Sequence, residues 1–184
     1  MRSAAAAEGG RAIGAMFFSV FGGAWLALWG NSEFSPPILV LSAVAVGTLA
    51  LFLWSIVKYR RNASAFRIDN QTPQAKRRSR LFNLINAGQW VTIFVVASIL
   101  NLLHRKDLIL PAVILVIGLH FFPLARLFAY RPHYVTGITL IALALTYPLF
   151  SDKGAQSASG ALWTGVVLWL SAIWGLLPYS RPAE

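Results

Sequence analysis

Six stretches of the chain are apolar for long enough to cross a bilayer, and the polar residues gather between them instead of alternating within them. A spanning helix needs ~20 predominantly apolar residues, with ~17 to 25 acceptable. Runs of that size without an interior charge cover residues 12–29, 37–57, 84–103, 108–125, 134–150 and 161–177. Lipid-facing β-strands would alternate apolar and polar positions, and an open sheet edge cannot face hydrocarbon. The pattern therefore predicts an all-α fold: a polytopic membrane protein, a bundle of six transmembrane helices forming one domain over residues 1–184. Trp25, Leu28 and Trp29 stand where a cleaved signal would carry small residues, so the first run is read as a retained helix.

The separators carry turn chemistry: Gly30-Asn31-Ser32 with Pro36-Pro37, His104-Arg105-Lys106-Asp107, Arg131-Pro132 and Ser151-Asp152-Lys153-Gly154. Most are tight connections. The exception, residues 58–83, is expected as a basic cytoplasmic loop. The spans leave little chain for an extramembrane domain.

Composition agrees with this pattern, with 57% hydrophobic and 12% charged residues in a chain of 184. The absence of cysteine excludes disulfides, thiolate metal sites and thiol nucleophiles. The net charge of +10 would suggest nucleic acid in a soluble protein. Here the position of the cations changes the reading. Arg2, Arg11, Lys58, Arg60, Arg61, Arg67, Lys76, Arg77, Arg78, Arg80, Arg126, Arg131 and Arg181 fall on one side of six spans, against Arg105, Lys106 and Lys153 on the other. That asymmetry puts both termini in the cytoplasm, with a bacterial-type inner membrane as the expected location. Trp29 and Trp163 fall near the outer ends, and Trp54, Tyr59, Trp174 and Tyr179 near the inner ends, as interfacial aromatics do. Trp25, Trp90 and Trp169 lie deeper and are expected to pack between helices.

Two weaker patterns bear on packing. Gly47 precedes Tyr59-Arg60 by the same spacing at which Gly118 precedes Tyr130-Arg131, and Trp54 precedes Tyr59 as Trp174 precedes Tyr179. Three related helical hairpins would produce this, as would the common habit of inward helices to end in an aromatic and an arginine. Ser19, Gly23 and Ala27, and Ala43 and Gly47, form small-residue stripes suited to close helix approach.

Ionisable groups inside a bilayer are default functional candidates, yet no Asp, Glu, Lys or Arg lies in the middle of any span. That argues against a proton pump, a cation-coupled carrier and a carboxylate metal site. The polar residues left form a layer by depth: Asn86 and Gln89 near the start of the third span and His120 near the end of the fourth, with Ser19, Thr139 and Ser171 at a similar level. Gln89 and His120 both come ~8 Å inside the boundary at 1.5 Å per residue. The candidate substrate-binding set is therefore Asn86, Gln89, His120, Arg126 and Thr139, with Arg126, Arg131 and His133 at a mouth favouring an anionic or dipolar ligand. Interhelical packing hydrogen bonds would use the same residue types.

His104, His120 and His133 are expected too far apart in depth to share a metal, and no cofactor is implied. Arg60, Arg61, Lys76, Arg77, Arg78 and Arg80 are expected to contact anionic lipid at the cytoplasmic face. Nucleic acid is not expected, because only Tyr59, Phe66 and Phe82 are available for stacking. No P-loop, dinucleotide fingerprint or catalytic triad occurs, so no enzyme class is assigned. The expected function is a small-solute or lipid transporter or channel-like protein with a cytoplasm-facing polar pocket. The alternative is a non-catalytic subunit or scaffold that binds a partner membrane protein or a second copy of itself.

Overall fold

The computed structural model describes residues 3–178; Arg2, Tyr179, Arg181 and Glu184 lie outside them. Among the described residues the regular structure is helical: α1 (Ala4–Glu33), α2 (Ile38–Asn70), α3 (Pro73–Leu102), α4 (Ile109–Phe128), α5 (Pro132–Phe150) and α6 (Ser159–Leu176). Each is long and apolar enough to cross a membrane. The helices pack in a row whose order is not the chain order. α2 lies on α1, α1 on α6, α6 on α5, α5 on α4 and α4 on α3, while α2 and α3 scarcely touch.

The row closes on α1 because the buried face of that helix is almost free of bulk: Ala6, Gly9, Ala12, Ala15, Ser19, Gly22, Gly23, Leu26 and Gly30. Apolar side chains gain little by leaving lipid, so helices in a bilayer associate through close contact, and small residues permit it. Gly23 meets Thr48 of α2, and Gly22 crosses Gly165 of α6. The Trp169 indole fills the seam of α1, α2 and α6. It donates to the Ser19 carbonyl at 3.1 Å, and a Cβ at Gly22 or Gly47 would come within 2.4 or 2.5 Å of its ring atoms. A second close crossing joins α4 and α5, where a Cβ on Gly137 would lie 2.8 Å from the Gly118 carbonyl oxygen. Gly47 and Gly118, matched in the sequence spacing, thus have different neighbours: an indole for one and a helix backbone for the other.

Between these crossings lies the main core of Ile114, Phe121, Leu124, Leu140, Ala144, Tyr147 and Leu168, with Phe18 and Trp25 of α1 and Phe82 and Ile85 of α3 packed against it. At the sparsely charged end Tyr147 is buried, donating to the Ala155 carbonyl at 3.1 Å, and Glu33 reaches Lys153 at 4.0 Å.

The basic connection expected as a loop at 58–83 is helical almost throughout. α2 continues past Val57 to Asn70 and α3 starts at Pro73, so α2 projects ~20 Å beyond the expected end of its span. The break between them is built by Thr72, whose hydroxyl caps the Ala75 amide at 3.2 Å, by Pro73 at the first turn, and by an Arg78–Asp69 ion pair at 2.8 Å. Proline suits that position because its missing N–H would be unpaired there anyway. The first turns of α1 lie along the projecting part of α2, with Gly9 against Phe66, so three helix ends form a layer beyond the spans where little structure was expected.

Two predictions follow from the backbone. Gly137→Ala should lower the melting temperature in detergent by several degrees, because a carbonyl oxygen blocks the new methyl, whereas Gly88→Ala, with nothing within 4 Å of its Cβ position, should leave it equal or higher. Ala129, at the end of α4, holds φ 50° in the left-handed region, where a Cβ costs ~1–2 kcal/mol. Ala129→Gly should therefore stabilise the protein by roughly 1 kcal/mol, measurable by denaturant or thermal unfolding.

Candidate functional site

α3 rests on a single neighbour within the spans, and this sets where its polar residues point. Its half-buried positions, among them Phe82, Ile85, Asn86, Gln89, Ile93, Val96 and Leu100, recur at helical spacing, and the helix packs along α4. Asn86 and Gln89 belong to that stripe and so lie along the α3–α4 seam. The Phe82–Phe128 ring pair, 5.7 Å apart, fixes the register. Seven residues up α3 from Phe82 is Gln89, and seven residues down α4 from Phe128 is Phe121, next to His120. Both levels are ~10 Å from the aromatic pair, and His120, like Gln89, is half-buried. Neither these two nor Asn86 makes a side-chain hydrogen bond among the described residues.

Other members of the expected set are elsewhere. Thr139 is exposed on the outer face of α5, and Arg126 is exposed near the end of α4. The polar residue of α5 that does meet its neighbours is Thr136. Its hydroxyl lies 2.8 Å from that of Ser171 on α6, and Ser171 donates to the Val167 carbonyl at 2.8 Å. Ser19 is likewise internal, donating to the Met16 carbonyl at 2.8 Å. Thr136 was readable in sequence as the threonine on the same helical stripe as Gly137, Leu140 and Ala144.

His133 does not stand at a mouth. Its ring packs among Tyr130, Phe121, Phe18 and Phe128 at 4.9, 5.7, 5.9 and 6.4 Å. His120 also lies against Phe121, at 6.1 Å, so the two histidine rings have that one phenyl ring as a common neighbour. Among the described residues no three His, Asp or Glu side chains gather as metal ligands. Trp90, expected in a packed position, is 58% exposed on α3.

The cations expected at anionic lipid divide by their contacts. Arg60, Arg61, Lys76, Arg77 and Arg80 are exposed, whereas Arg78 is held by Asp69. Lys58 of α2 donates to the Leu176 carbonyl at the end of α6, where a cation also meets the negative end of the helix dipole. Two open surface recesses lie near the two ends of the bundle. One of about 350 Å³ is lined by Asn70, Ala75, Lys76, Ser79 and Arg80, and one of about 300 Å³ by Lys106, Asp107, Leu110, Ala155 and Gln156.

The fold is that of a multi-pass α-helical membrane protein whose third helix packs on the fourth alone within the spans. No family model matches the chain, and comparison with curated proteins and with solved structures returns no significant match.

Thr136→Val should lower stability by about 0.6 kcal/mol, the average for an interhelical bond in a membrane protein, and Thr139→Val should not change it. Thermal unfolding of the two variants side by side measures the difference.

Proposed function

We propose that this protein is a small-solute or lipid transporter or channel-like protein of a bacterial-type inner membrane, with both termini cytoplasmic and a polar site opening to that side. The observation that carries the reading is that Gln89 and His120, which counting along the two helices assigns to one depth, are half-buried and make no side-chain hydrogen bond among the described residues. Polar groups without partners at that depth are costly, and a bound solute or water would satisfy them. α3 is also the helix best able to shift, since no residue of its spanning window is buried and it leans on α4 alone. Arg126 and Arg131, both exposed beyond the seam, favour an anionic or dipolar ligand.

A second reading, a non-catalytic subunit binding a partner helix or a second copy, is favoured by Trp90 and Gly88. Both are exposed on α3, with open space around the glycine.

Solutes that raise the melting temperature of the purified protein identify ligands for uptake assays in proteoliposomes. His120→Leu and Gln89→Leu should each reduce uptake at least about tenfold while the folded fraction stays near wild type, because losing one interhelical bond costs only ~0.6 kcal/mol. Unchanged uptake in a normally expressed His120→Leu, Arg126→Ala double variant would rule the seam out as the site. The chain has no cysteine, so Gly88→Cys is a clean reporter for the second reading: a disulfide-linked species of defined mass in native membranes supports it. Reporter fusions after Asn31 and Ser157 should read as external and one after Asn70 as cytoplasmic.

A further inference from the structure

The recess at the tip of the basic hairpin is lined, apart from the buried Ala75, entirely by groups that bind anions. Lys76 and Arg80 are one helical turn apart on α3, with Ser79 between them on the same face, and Asn70 closes the recess from the end of α2. Ala75, 4% exposed, is the one apolar residue in the lining. Neither cation has a carboxylate partner among the described residues. The nearest candidate in sequence, Asp69, is bound to Arg78 at 2.8 Å, and the first turn of α3 carries no acidic residue. A volume of about 350 Å³ suits a phosphate with one substituent.

We propose that this recess is a binding site for a phosphate group, with Arg80 and Lys76 supplying the charge and the Ser79 hydroxyl and Asn70 amide supplying directional donors. Charge-assisted hydrogen bonds of this type are short and about twice as strong as neutral ones. Arg80 lies four residues before the expected start of the third span at Leu84, ~6 Å along the helix. That is within the ~5–8 Å polar layer that flanks the hydrocarbon, while Lys76, eight residues before Leu84, lies ~12 Å out on its aqueous side. The phosphate can thus be that of a phospholipid headgroup or of a soluble phosphorylated compound; the chemistry of recognition is the same. The site is separate from the α3–α4 seam and does not depend on what the seam binds.

The test uses the full-length protein in nanodiscs of phosphatidylcholine with or without one part in five of phosphatidylglycerol, with native mass spectrometry counting retained anionic lipid and calorimetry reading inorganic pyrophosphate. Lys76→Ala, Arg80→Ala should weaken binding of one probe at least about tenfold. Arg105→Ala, Lys106→Ala, which removes the same charge from exposed positions at the opposite end of the bundle, should weaken it less than about twofold. Ser79→Trp keeps both cations and fills the hollow, so it should weaken binding as much as the double alanine variant does; its exposed position spares the fold. Retained phosphatidylglycerol with no pyrophosphate heat identifies a lipid headgroup, and pyrophosphate binding in pure phosphatidylcholine identifies a soluble phosphate. Equal losses in the two charge-removal variants, full binding by Ser79→Trp, or no binding of either probe by wild type would each overturn the site.

Discussion

Everything in this fold depends on how closely α1 can be approached from two sides. The hydrophobic effect supplies little attraction between helices already in lipid, so contact distance and dispersion decide which ones hold together. α1 offers a face of Ala, Gly and Ser along nearly its whole length. α2 closes on one edge of that face and α6 on the other. Trp169 then occupies the space at the seam, with Gly22 and Gly47 providing room on either side of its ring. A tryptophan in such a place also needs a hydrogen-bond acceptor for its N–H, and the Ser19 carbonyl provides one. The result is a three-helix unit whose members cannot shift without displacing a large ring.

A second unit forms where the Gly118 and Gly137 backbones meet, and α6 ties it to the first through Thr136, Ser171 and the packing of Gly160 on Tyr147. Five helices are accounted for in this way. α3 is the sixth, and its attachments are fewer: the Phe82 ring against Phe128, the stripe along α4, and the clamped turn at Thr72. No side chain in its apolar stretch is buried, and among the six helices it has the least packing to hold it in place. Asn86 and Gln89, on the half-buried stripe of this helix, make no side-chain hydrogen bond among the described residues. In a rigid interface the same residues would be expected to bond to one another, as Thr136 and Ser171 do.

The six spans were legible because length and apolarity are local properties, and a bilayer imposes both. The helix ends were not, since beyond the hydrocarbon a helix no longer needs to be apolar. Residues 58–71 nevertheless contain neither Gly nor Pro, and Thr72-Pro73 is a cap followed by a first-turn proline, so the hairpin was written in capping chemistry and not in hydropathy. Counting along an antiparallel pair assigns Gln89 and His120 an expected depth, and no more than that. Facing was harder. Thr139 and Thr136 differ by less than one helical turn, and only the company of Gly137 and Leu140 distinguishes the inward one. Trp90 and His133 were misjudged for related reasons: depth alone does not say whether a neighbouring helix is present, and His133 is covered by Phe18, which comes from a helix far away in sequence.

The concentration of positive charge at the basic end has a structural cause. Among the described residues this end holds two carboxylates, Glu8 and Asp69. Glu8 lies 3.7 Å from Arg11 and accepts from Asn62, and Asp69 is bound to Arg78. Lys58 is directed to a helix terminus at Leu176. The available acids and the free helix end are thereby engaged in joining α1, α2, α3 and α6 outside the membrane. The cations left over, Lys76 and Arg80 among them, cannot be neutralised by the described chain. Since both lie on one face of a helix and line one recess, the surplus positive charge collects in a hollow and is not spread over a convex surface. Clefts lined by one sign of charge focus field lines, so the positive potential at the hairpin tip follows from how the other charges are used, not only from how many there are.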